Sequence, residues 1–144
     1  MVERISPEEA RRRMDEDGWI YLDVRSVPEF DAGHPKGAYN VPLMHMGDGG
    51  MEPNPDFLPV VEATFPKDTP LILGCRSGGR SLRAGEMLEA AGWTRVVDQR
   101  AGWGGARDPF GQLGEPGWEA AGLPSATEPE PGRSYAELEA ERRG

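Results

Sequence analysis

The sequence predicts an α/β domain built on a parallel sheet with helices on both faces. Three observations carry this. Short apolar runs such as Leu71-Ile72-Leu73 alternate along the chain with segments whose apolar residues recur at helical spacing. That run is continuous rather than alternating in polarity, as in strands covered on both sides. The length, 144 residues, suits one ordinary domain with room for a core. No repeat is present, and the composition shifts to Glu, Pro, Ser and Arg from Ser125. The expected organisation is a domain over residues 1–124 and an acidic, flexible or weakly docked tail over residues 125–144.

The first helix is marked by Ser6 as cap, Pro7 at the first position and Glu9 completing a capping box, with Ile5 and Ala10 in staple positions. It is expected to stop at Gly18, with Arg11, Arg12 and Arg13 solvated. Residues 19–24 form a strand rich in aromatic and branched residues. Asp23, Arg25 and Glu29 follow at its C-terminal edge. They read as an ion-pair and capping network rather than an acid–base set, with Ser26 and Pro28 starting the next helix. Residues 38–41 make a short strand bounded by Pro42. Residues 44–55, rich in Gly and Met, read as a loop or flap near the site. Phe57, Leu58, Val60, Val61 and Phe65 have helical spacing and end at Pro66.

After Pro70 comes the strand 71–73, and from Ser81 a helix carried by Ala84, Met87, Leu88 and Ala91, with Gly92 as its αL cap. Residues 93–97 supply another strand. Residues 98–105 turn back toward the sheet edge, where Trp103 either walls a pocket or belongs to the core. Residues 106–116, with turn chemistry at Asp108-Pro109, read as an ordered surface excursion, and residues 118–123 as a short closing helix.

Composition narrows the function. A net charge of −9, from 25 Asp and Glu against 16 Lys and Arg, argues against a nucleic-acid partner. One cysteine cannot form an internal disulfide, which fits a reducing cytoplasm. No run approaches a membrane span and no apolar signal segment opens the chain, so no membrane association is expected. Neither H-x-x-x-H nor C-x-x-C spacing occurs, and no metal or cofactor is expected. With only His34 and His45 present, a Cys–His pairing lacks support, and His34 reads as a hydrogen-bonded loop residue.

The chemistry concentrates between the strand at 71–73 and the helix after it. Gly74, Cys75, Arg76, Ser77, Gly78, Gly79 and Arg80 form a loop ending at a helix N-terminus, where free N–H groups and the helix dipole favour negative charge. The glycines let successive N–H groups curl inward into an anion nest. The only cysteine sits in that context beside two arginines, which favours an exposed, reactive thiolate over a buried apolar thiol. The segment nearly fits G-x-x-x-x-G-K-[ST], but Arg80 replaces the lysine that a nucleotide loop needs.

Cys75-Arg76-Ser77-Gly78-Gly79-Arg80 resembles the six-residue active loop of rhodanese-type sulfurtransferases. Leu22-Asp23-Val24-Arg25, Glu29-Phe30 and Gly33-His34-Pro35-Lys36-Gly37-Ala38 are similar to that family's upstream signature, with Pro35 in place of isoleucine. Gly102-Trp103-Gly104-Gly105 and residues 117–124 resemble its closing motifs, here separated by residues 106–116. The resemblance implies a five-stranded parallel sheet and sulfur transfer through a Cys75 persulfide. It implies a small anionic donor such as thiosulfate and a thiol or cyanide acceptor. The N–H groups of residues 76–81, including Gly78, Gly79 and Ser81, would hold the persulfide, while Arg76 and Arg80 hold the donor, Arg80 as a planar clamp. The alternatives are a persulfide carrier or regulatory interaction domain, and a cysteine-dependent phosphatase or arsenate reductase. The short loop disfavours the last, since the arginine comes one residue earlier than in cysteine phosphatases.

Overall fold

The computed structural model describes residues 2–107 and 109–143. In chain order the first half holds β1 (Glu3–Ile5), α1 (Pro7–Asp17), β2 (Ile20–Asp23), α2 (Val27–Ala32), β3 (His34–Pro35) and β4 (Tyr39–Asn40). Next come β5 (Met44–Gly47), β6 (Gly50–Pro53), α3 (Phe57–Thr64), β7 (Leu71–Gly74), α4 (Gly79–Ala90) and β8 (Val96–Gln99). The chain closes with β9 (Ala106–Arg107), β10 (Leu113–Glu115), β11 (Ser125–Ala126) and α5 (Tyr135–Arg143).

Five strands form one sheet in the order β1-β8-β7-β2-β4, all parallel. Strand side chains alternate between its faces. Leu71 and Leu73 of β7 join Leu22, Val60, Val61, Ala84 and Leu88 on the side of α3 and α4. Ile72 joins Tyr21, Val97, Ala10 and Phe30 on the side of α1 and α2. Helices therefore cover both faces, as the apolar runs predict, and the ends of β2, β7 and β8 meet at one sheet edge.

Helix α1 begins as its sequence requires: Ser6 Oγ accepts the Glu9 N–H at 3.1 Å, and Gly18 ends it in the αL conformation. Helix α4 starts at Gly79, two residues earlier than the apolar spacing indicates, because two glycines and an arginine add no hydrophobic signal.

Three expectations are corrected. Residues 44–55 are not an irregular loop: β5 and β6 pair as an antiparallel hairpin. Asn54 anchors its end, donating through Nδ2 to Pro42 O at 2.8 Å. Residues 118–122 are consecutive turns rather than a helix, although Trp118 is fully buried at their start. The ordered excursion expected over residues 106–116 is built on the antiparallel pair β9 and β10, closed by a two-pronged Arg100–Glu115 ion pair. Asp108, half of the expected Asp108-Pro109 turn, lies outside the described residues.

The tail is the third. Over residues 125–143 it is docked on the domain: β11 pairs with β3, Asn40 N donates to Arg133 O at 3.0 Å, and Leu138 of α5 is buried in the core. Leu138 and the half-buried Tyr135 suffice as apolar anchors because backbone pairing and the Arg142–Asp56 ion pair, 3.3 Å, complete the contact. Among the described residues no helix is long and apolar enough to cross a membrane.

Candidate active site

Strand β7 is the middle strand of the sheet, and Cys75 follows its last residue directly. The chain needs only Cys75 to Gly78 to reach the start of α4. So tight a return points the Gly78 N–H at the sulfur, with N to Sγ 3.1 Å. Gly78 has φ +99°, and a Cβ there would lie 2.5 Å from Arg100 O, so only glycine fits. The loop is clamped from outside by residues 102–105. Trp103 N–H donates to Cys75 O and Gly104 N–H to Arg76 O, both at 2.8 Å. That approach demands Gly102, at φ +63°, where a Cβ would stand 2.4 Å from Cys75 O.

The loop residues divide into two groups. Cys75, Gly78 and Ser81 meet in the interior, with Cys75 Sγ 3.4 Å from Ser81 Oγ and the thiol only 2% exposed. The sequence context suggests an exposed thiol; the inward turn of the loop buries it instead. Arg76, Ser77 and Gly79 are exposed on the rim. Arg76 lines a cavity of about 300 Å³ with Arg25, Glu29, Trp103 and Glu119, so Trp103 does wall a pocket.

Arg80 stands apart from the expectation of a donor clamp. Its fork is already occupied: Nη1 donates to Glu29 Oε1 at 2.7 Å and Nη2 to Glu29 Oε2 at 3.0 Å. Glu29 also accepts from the Ser26 N–H, 3.1 Å, and so caps α2 while it holds α4. Burial raises the Glu29 carboxyl, but the bonds from Arg80 and Ser26 outweigh it and bring the pKa down to about 2.

The other upstream residues are architectural. Arg25 and Asp23 form a buried pair, Nη2 to Oδ2 2.7 Å, and the same nitrogen donates to Gly33 O at 2.6 Å. Arg25 also lies 5.1 Å from the Trp103 ring centroid, setting that wall of the cavity. His34 is buried, donates from Nδ1 to Phe30 O at 2.8 Å and stacks on the Phe30 ring. None of these groups contacts the sulfur.

A family model described as the rhodanese-like domain matches residues 6–106. The chain belongs to that family. "Thiosulfate sulfurtransferase 16, chloroplastic" of Arabidopsis thaliana is 49% identical over 86 residues, 60% of this chain and 72% of that protein. "Senescence-associated protein DIN1" of Raphanus sativus is 43% identical over 97 residues, 67% of this chain and 53% of that one. The chain thus spans about half the length of the second relative. Among solved structures, the crystal structure of Rv0390 from M. tuberculosis matches with a TM-score of 0.72 at 30% identity, covering 88% of this chain and 98% of that one.

In this rhodanese-like domain the split closing motif is rejoined in space. Trp118 N–H donates to Gly102 O at 2.8 Å, and Gly117 packs so closely on Trp103 O that a Cβ would lie 2.3 Å away. The excursion over residues 106–116 therefore leaves and returns at one point.

Three residues of the site were not visible in the motifs. Asp98 and Gln99 end β8 beside the loop, and Arg4 reaches across from β1. Gln99 fixes the clamping segment, donating to Gly102 O at 3.0 Å and accepting the Gly102 N–H at 2.8 Å. Arg4 Nε donates to Asp98 Oδ2 at 2.7 Å, and its Nη2 to Gly78 O at 3.3 Å. The available signal was positional: polar residues close an apolar strand at the sheet edge where α/β proteins keep their sites.

Proposed function

We propose that this rhodanese-like domain is a thiosulfate sulfurtransferase that carries sulfane sulfur on Cys75. The observation that supports this best is the Cys75–Arg80 loop, which ends at the start of α4 with the Gly78 N–H on the sulfur. A thiolate there is stabilised by that donor and by the positive end of the helix.

The Cys75 thiolate attacks the outer sulfur of thiosulfate. The donor's S–S bond breaks, sulfite leaves with the electron pair, and a Cys75 persulfide remains. An acceptor nucleophile, cyanide or a thiol, then attacks the terminal sulfur and Cys75 departs as the thiolate. Neither transfer step moves a proton or requires a metal, because the nucleophile is ionised beforehand and the leaving groups are stable anions. Arg76 draws the donor through the cavity it lines with Trp103, while Arg25 and Glu29 keep that wall in place. The six-residue loop makes a cradle for a single sulfur rather than for a phosphoryl group with three equatorial oxygens.

The test is thiocyanate formation from thiosulfate and cyanide. Wild-type protein turns over and Cys75→Ser does not, because a serine hydroxyl remains protonated in this setting. Equal thiocyanate formation by the variant would exclude Cys75 as carrier, and turnover of an aryl phosphate without thiocyanate would point to phosphatase chemistry.

A further inference from the structure

Behind Cys75 runs a line of polar groups that the transfer steps above do not use. The Cys75 thiol donates to Ser81 Oγ at 3.4 Å, the Ser81 hydroxyl donates to Asp98 Oδ1, and Asp98 Oδ2 accepts from Arg4 Nε at 2.7 Å. Cys75, Ser81 and Asp98 are all buried. A hydroxyl carries one hydrogen. While it points to Asp98, Ser81 offers sulfur only a lone pair, which suits a thiol. The Gly78 N–H on the same sulfur suits a thiolate. The same heavy atoms therefore accommodate two arrangements of protons.

We propose that Cys75, Ser81 and Asp98 form a proton relay through which the thiol ionises without releasing its proton to solvent. The S–H bond breaks as an O–H bond forms on Ser81, and the proton Ser81 already carried passes to Asp98 Oδ1. Sulfur is left as a thiolate accepting from Gly78 N–H and Ser81 O–H. Asp98 becomes a neutral acid donating to Ser81, and the net charge of the site is unchanged. Ionisation toward water would instead leave two buried anions close together, which a poorly solvated interior penalises. When an acceptor removes the sulfur and Cys75 leaves as thiolate, the same path returns the proton.

The surroundings fit this assignment. Burial raises the Asp98 carboxyl above its ordinary range, against the lowering effect of its bonds to Ser81 and Arg4. The charged or titratable groups around this line include Arg4 from β1, Tyr21 and the Asp23–Arg25 pair at the end of β2, Arg76 in the loop, and Arg80 from α4 with its partner Glu29. Burial raises the Tyr21 phenol and keeps it protonated, and Gln99 Nε2 donates to its oxygen at 3.2 Å. The arginines hold their charge throughout. Cys75 and Asp98 are the two groups that the Ser81 hydroxyl joins, so the exchange runs between them.

The inference deepens the sulfur-carrier reading but is tested without a sulfur donor. The measurement is the rate of Cys75 alkylation by iodoacetamide from about pH 4 to about pH 10. Two coupled groups titrate as a pair. Wild-type protein is expected to show a low-pH rise to a plateau, from relayed thiolate, and a second rise when the last proton leaves. Asp98→Asn and Ser81→Ala should each lose the low-pH step, and Ser81→Thr should keep it. Circular dichroism checks that each variant is folded, and if Asp98→Asn is not, Ser81→Ala against Ser81→Thr decides. A single-step wild-type curve, or a low-pH step that survives in Ser81→Ala, would overturn the relay. A two-step curve in protein that forms no thiocyanate would leave the relay standing and remove the sulfurtransferase reading.

Discussion

Replacing Arg80 by lysine separates two roles that one arginine cannot fill at once. Its guanidinium is bound through both nitrogens to Glu29, and the two side chains are 19% and 17% exposed. Exposed ion pairs are worth about 0.2–1 kcal/mol, whereas truncating one partner of a fully buried pair costs about 3–5 kcal/mol. This pair lies between, so Arg80→Lys, which keeps the charge but loses the fork, should destabilise by about 1–2 kcal/mol. The assay is urea unfolding of wild type, Arg80→Lys, Glu29→Gln and the double variant. A coupling energy of about 1 kcal/mol is expected, since each change alone already removes the two-pronged bond. Thiosulfate kinetics are measured on the same proteins, and Arg80→Lys should lower kcat/KM no further than Glu29→Gln does. Coupling below about 0.3 kcal/mol would refute the pairing as a unit. A tenfold or greater loss of kcat/KM confined to Arg80→Lys would instead make this arginine the donor clamp.

Three further outcomes follow from the same geometry. Gly102→Ala should cost about 2–4 kcal/mol, from left-handed backbone strain and contact with the Cys75 carbonyl; a urea midpoint within error of wild type would contradict the close approach. Leu138→Ala should cost about 2–4 kcal/mol by the same assay if α5 is docked in the core, and nothing measurable if it is not. Glu29 is held at about 2 against an ordinary 4.5, so its contribution is complete above about pH 4.5 and is lost as pH falls toward about 2. Glu29→Gln should therefore flatten that part of the acid limb, removing about 1–3 kcal/mol of pH-dependent stability; an unchanged limb between pH 4.5 and 2 would show that the carboxylate is not held.

Much of the fold was legible because its signals are local. Ser6, Pro7 and Glu9 start α1 by backbone chemistry alone, and Leu71-Ile72-Leu73 declares a strand with two covered faces. Cys75 and the glycines after it announce the loop, since few other residue types could make so short a turn into a helix. Signals failed where structure depends on distant partners. Nothing near Arg80 says that Glu29, 51 residues away, will occupy its fork. The apolar spacing of 44–55 carries no period because the hairpin of β5 and β6 buries little of either face. The tail reads as flexible or weakly docked by composition, yet it is held by strand pairing to residues 34–35 and by Leu138 in the core, contacts with distant residues that composition cannot report. No motif singles out Asp98 or Arg4, and only the sheet order, which sets β1 beside β8, brings them to the loop.

The claim on which the rest depends is that Cys75 carries the sulfur, and an intact-mass spectrum reads it directly. After incubation with thiosulfate and removal of excess donor, the wild-type chain should be heavier by one sulfur atom. Addition of cyanide should return it to the starting mass, and Cys75→Ser should show no change at either stage. No mass gain in wild type, or a gain that persists in Cys75→Ser, would contradict the account.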